Sequence, residues 1–97
     1  MGYRLTLKAE EDIIGIAQAG LLRFGEDQAR RYHGELYEVF DLLAANPRMA
    51  RERFEITPPV RIHPFKAHLI VYVIEDNGDV LVVRVRHGHE DWAKDGD

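Results

Sequence analysis

The residues with the greatest chemical reach lie near the end of the chain, where Arg84, Arg86, His87 and His89 punctuate a run that is otherwise valine, leucine and glycine. A histidine titrates near neutral pH and moves protons, and guanidinium groups stabilise charge developing on a phosphate. With Arg61 they form the first constellation to weigh, a proton-moving imidazole with guanidinium groups. Strand geometry divides this set. Side chains alternate, so Arg84 and Arg86 share a face with Val80 and Val82, while Leu81, Val83, Val85 and His87 take the other. Arg86 and His87 then point apart unless a bulge intervenes. A purely structural reading puts Arg84 on the sheet face away from any helices and makes His87 a polar strand end.

A second chemistry to weigh is metal binding by His63, His68, His87 and His89. His87-x-His89 places two imidazoles on one strand face, but zinc takes three or four ligands and no spacing ties His63 or His68 to that pair. Gly15, Gly20, Gly25 and Gly34 lie in or between helical segments, at no nucleotide-loop spacing. Neither a metal nor another cofactor is expected.

The chain has 97 residues, enough for one hydrophobic core and too few for two. It contains no cysteine, which removes disulfides, zinc-thiolate sites and cysteine nucleophiles together. No apolar run approaches the ~20 residues that span a bilayer, and the start, Met1-Gly2-Tyr3-Arg4, lacks a signal-peptide segment. The cytoplasm is the expected location. A net charge of −4 argues against a dedicated duplex-binding protein. The charge is unevenly distributed: residues 1–47 carry −3, residues 48–72 carry +3 and residues 73–97 carry −4. Ten of the thirteen basic residues are arginine, the side chain suited to bidentate contacts with carboxylate or phosphate.

The positioning elements follow from periodicity. Tyr3, Leu5 and Leu7 alternate with Arg4, Thr6 and Lys8, the pattern of a short half-buried strand. From Ala9 the period becomes helical, with Ile13, Ala17, Leu21 and Phe24 on one stripe, Ile14 and Ile16 flanking it, and Gly25 as a stop. Ile14 and Ile16 are thereby left for another chain to cover. A second helix spans about residues 26–45, with Ala29, Tyr32, Leu36, Val39, Phe40 and Leu43 on its stripe and Asn46-Pro47 ending it. The short link makes the pair an antiparallel hairpin. Residues 48–59 read as a surface loop. Val60-Arg-Ile-His-Pro64 is a short strand, with Pro64 marking an edge or turn. His68–Ile74 and a second run from Val80 to His89 form a hairpin around Asn77-Gly78. The result is an α+β domain of order β-α-α-β-β-β: an N-terminal strand, then two antiparallel helices packed on one face of a small, mainly antiparallel sheet.

That order, with the residues that carry it, resembles the RelE/ParE superfamily of toxins from type II toxin-antitoxin pairs, and most of all its ParE branch. The similar segments are the opening Tyr-Arg-Leu-Thr strand, Ala9-Glu-Glu-Asp12 before Ile13-Ile14, Ala29-Arg-Arg-Tyr32-His-Gly-Glu-Leu36, and Leu43-Ala-Ala-Asn-Pro47-Arg-Met. Val60-Arg61-Ile62, Ile70-Val-Tyr72 and the ending Val83-Arg-Val-Arg-His-Gly88 complete the set. The resemblance implies a single toxin domain over residues 1–92 and an acidic tail over 93–97. It implies a non-enzymatic inhibitor of DNA gyrase, neutralised in a hetero-oligomer by a ParD-like antitoxin through which alone DNA is contacted. Arg61, Lys66, Arg84, Arg86 and His87 are then the target-facing residues. Ile14, Ile16 and Trp92 meet the antitoxin. The alternatives are a ribosome-dependent mRNA endoribonuclease using Arg61, Arg84 and His87, and an inactive member that keeps only antitoxin binding. Against the ribonuclease, Gly88 stands where some members place a tyrosine.

Overall fold

The computed structural model describes residues 2–88; His89, Trp92 and the acidic tail lie outside the described residues. β1 (Tyr3–Leu5) is followed by α1 (Leu7–Phe24), α2 (Glu26–Ala45), β2 (Glu52–Arg53), β3 (Val60–Phe65), β4 (His68–Ile74) and β5 (Val80–His87). The sheet order is β1-β5-β4-β3-β2, with β1 parallel to β5 and every other pair antiparallel. The expected order therefore stands, with one addition. Glu52 and Arg53, inside the segment read as a loop, pair with Arg61 and Val60 and extend the sheet by a two-residue edge strand.

The alternating N-terminal pattern does not run as far as Leu7 and Lys8. Thr6 stops it: its hydroxyl accepts from the Ala9 amide at 3.0 Å, donates to the Val83 carbonyl at 2.7 Å, and so both caps α1 and ties it to β5. Leu7 consequently starts a helix and is 71% exposed instead of facing the sheet. Gly25, at φ 88°, closes α1 through its amide to the Leu21 carbonyl and opens α2 through its own carbonyl to Ala29. The two helices can thus reverse direction across one residue.

The main core lies between α2, the first turns of α1 and one sheet face. It gathers Ala9, Ile13, Leu36, Phe40, Leu43, Ile70, Tyr72, Val80, Val82 and Val85. A smaller cluster of Ile56, Val60 and Val71 covers part of the other face. The stripe expected on α2 is the one buried. On α1 only Ala9 and Ile13 are buried, whereas Leu21 and Phe24 are half exposed or more.

β5 carries the second departure from simple alternation. Val71 pairs with Arg84 and Tyr72 with Val82, so Val83 is an extra residue in the ladder. That bulge reverses the parity of everything after it. Val80, Val82, Val85 and His87 face the helices, and Arg84 and Arg86 lie opposite Val71 and Leu69 on the other face. The simple alternation had instead grouped Arg84 and Arg86 with Val80 and Val82. The Asn77-Gly78 connection is a five-residue loop, Glu75 to Asp79, in which only Gly78 takes positive φ and Asn77 accepts the Asp79 amide at 2.9 Å.

The segment leaving α2 is held down by side chains from the sheet. Tyr72, fully buried, donates its hydroxyl to the Pro47 carbonyl at 2.8 Å, and burial raises the phenol above its ordinary pKa. Tyr72→Phe leaves that carbonyl without this donor at unchanged side-chain volume. We expect a loss of about 1 kcal/mol in unfolding free energy, read as a lower urea midpoint at constant m.

Candidate functional site

The target-facing set read from the sequence does not form one site. Arg61 stands beside Tyr72 on the helix-bearing face, donates to the Ala50 carbonyl at 2.6 Å and lies 3.9 Å from Glu52, with its side chain 13% exposed. Arg84 makes a two-pronged contact with Asp12 of α1, Nε to Oδ2 at 2.7 Å and Nη2 to Oδ1 at 3.0 Å. The same carboxylate accepts the Val85 amide at 3.0 Å, so α1 closes the edge of β5 beyond the short reach of β1. Arg86 is 7% exposed on the far face. Arg61 on β3 therefore lies on the opposite sheet face from Arg84 and Arg86 on β5, and the phosphate-plus-histidine arrangement that Arg61, Arg84 and His87 would need is not assembled.

Lys66 and His87 do converge, and of the residues between them the sequence reading weighed only His68, as a metal ligand. Phe65 pairs with His68 across a two-residue turn in which Lys66 takes φ 52°, and His68 in turn pairs with His87. The two imidazoles stack edge to face with centroids 5.5 Å apart. Tyr32 of α2 packs edge-on against Phe65 and His68, its hydroxyl 2.5 Å from His68 Nδ1, and burial raises its pKa. Lys66 pairs with Glu35 and holds its ammonium 5.5 Å from the Tyr32 ring centre. The cluster is exposed at His87 and Lys66 and packed at Tyr32 and His68. Periodicity had assigned Tyr32 to the core, and it does pack there with its ring. No sequence signal marked its hydroxyl as a partner for a histidine 36 residues away. His63 is separate from this cluster along β3, and burial lowers its pKa. Among the described residues, no three histidine, aspartate or glutamate side chains are placed to hold a metal ion.

The other pronounced surface is on the helices. Leu7, Ile14 and Leu21 recur two turns apart along α1 and are 71%, 57% and 50% exposed. Beside them runs a groove of about 480 Å³ between α1 and α2, floored by Ile13, Ala17 and Tyr37 and rimmed by Glu10, Glu11, Gln18 and His33. Ile14 lines it, as does Leu7. Ile16, the other residue expected to meet a partner, packs partly buried against the main core instead. Trp92 falls outside the described residues. No described helix is long and apolar enough to cross a membrane.

A family model described as "ParE toxin of type II toxin-antitoxin system, parDE" matches residues 3–92. The chain belongs to the ParE toxin family. Toxin ParE1 of Mycobacterium tuberculosis, in two strains, is 36% identical to it over 89 residues, spanning 92% of this chain and 91% of that protein. A solved structure described as "Chromosomal ParDE TA system from P. aeruginosa" superposes at a TM-score of 0.75 with 19% identity. It covers 90% of this chain and 95% of that one, so the likeness there is one of fold. For a ParE-family chain, the helix groove and the strand-end cluster are two separate surfaces on one small domain. One is apolar with an acidic rim, and the other is polar and titratable.

Proposed function

We propose that this ParE-type toxin inhibits DNA gyrase in the cytoplasm, arrests growth, and is neutralised by a ParD-like antitoxin whose C-terminal segment lies in the α1–α2 groove. Membership of the ParE family over residues 3–92 carries the toxin assignment. The antitoxin assignment draws on the unfilled apolar groove beside Ile14. A chain segment that orders on binding gains most where exposed apolar side chains already line a trough. Any contact with DNA is then made by the antitoxin of the hetero-oligomer. For the target, Lys66 and His87 are the exposed members of the predicted set, whereas Arg86 is buried on the other face of the sheet. Arg61 and Arg84 act mainly by holding those strands in place.

Inhibition by binding fits this geometry better than RNA cleavage, because the cations such chemistry aims at a phosphate are distributed over both faces of the sheet. Purified toxin is to be added separately to a gyrase supercoiling reaction and to a translation reaction with defined mRNA. Supercoiling falls and the mRNA stays intact if the reading is right. Cleaved mRNA with untouched supercoiling establishes the endoribonuclease instead, and silence in both favours a member that only binds antitoxin.

A further inference from the structure

We propose that the chain, freed of any partner, associates head to tail with copies of itself, the 48–55 segment of one copy docking in the α1–α2 groove of the next. Phe54, which directly follows edge strand β2, is 72% exposed, and Met49 in the same segment is 48% exposed. Arg48, Arg51 and Arg53 flank them, the side chain of Arg51 being 70% exposed. An apolar knob with a basic surround is thus carried at one edge of the sheet. The groove offers the complement: an apolar floor with Glu10 and Glu11 on its rim, on a helix that packs against β5 and β1 at the opposite edge.

Residues 48–55 carry Arg48, Arg51 and Arg53 against Glu52 and Glu55, a net charge of +1, and the groove rim carries Glu10 and Glu11, so the two patches are of opposite sign. Aromatic, methionine and arginine side chains are the types enriched in protein interfaces. The interleaved Glu52 and Glu55, with Glu55 3.5 Å from Arg51 and 3.9 Å from Arg53, make the segment poorly suited to phosphates. Knob and groove are different patches, so the contact is heterologous. A chain of copies keeps one open groove and one open knob, and growth continues with concentration. Each contact is small, which makes it weak and sensitive to salt.

Sedimentation equilibrium of the full chain tests this without reference to toxicity. The mass of the wild type rises above 11.2 kDa with concentration and falls back on adding salt. Arg51→Glu with Arg53→Glu reverses the knob, and Glu10→Lys with Glu11→Lys reverses the rim; each double variant alone associates at least ~10-fold more weakly. Mixed in equal amounts the two associate again, because each then meets its opposite charge. A wild type that stays monomeric overturns the proposal. So does association that ignores both double variants, or a mixture that fails to recover it.

Discussion

Replacing Asp12 with alanine lowers the unfolding free energy by about 3 kcal/mol, the largest loss we expect from any single substitution outside the apolar core. Its carboxylate accepts two guanidinium donors from Arg84 and the Val85 amide, and its side chain is only 17% exposed. Charge-assisted bonds of this two-pronged kind are stronger than neutral ones, and truncation leaves a poorly hydrated guanidinium with fewer acceptors. Asp12→Asn keeps the shape, loses the charge and recovers part of the stability. A double-mutant cycle with Arg84→Met isolates a coupling of ~1–2 kcal/mol. A shift in the denaturation curve below ~1 kcal/mol for Asp12→Ala would show the fork to be dispensable. The consequence reaches function: a weakened toxin phenotype in Arg84→Ala reports lost folding unless the amount of folded protein is measured beside it.

The second large effect concerns the groove. Ile14→Glu combined with Leu21→Glu reduces affinity for the cognate antitoxin by ~100-fold or more, while moving the unfolding free energy by only about 0.5 kcal/mol. Both positions are at least half exposed, so carboxylates there meet water in the free chain and are desolvated only when a partner covers them. Titration calorimetry against the antitoxin reads the first number and urea denaturation the second. Intact affinity in the folded double variant moves the antitoxin site away from α1.

How much of this was readable in advance depends on the range of the interaction that decides each feature. The hairpin of helices was legible because Gly25 and the Asn46-Pro47 pair act within one turn of their own positions. The buried stripe of α2 was legible because a 3.6-residue period is a local property. The two-residue β2 was not, since Glu52 and Arg53 carry no strand pattern and pair only because β3 is already placed beside them. Nor was the exposure of Leu21: a helical stripe shows that a face wants cover, and which other elements pack beside it decides how much of it is covered.

The strand end shows the same division at the level of single residues. Composition and order along the chain marked Arg84, Arg86 and His87 as a cationic, titratable cluster and placed the chain among ParE-like toxins. Which of them meet was decided by one extra residue, Val83, whose bulge set His87 toward His68 and Tyr32 and turned Arg84 and Arg86 to the other face. Asp12 and Arg84 are 72 positions apart, and their contact exists only once β1 has paired in parallel with β5 and carried α1 to that edge. Alternation and capping are properties of neighbouring residues and survive in the bare sequence. Register, bulges and long-range ion pairs arise from competition among segments for the same edge, which only the assembled sheet resolves.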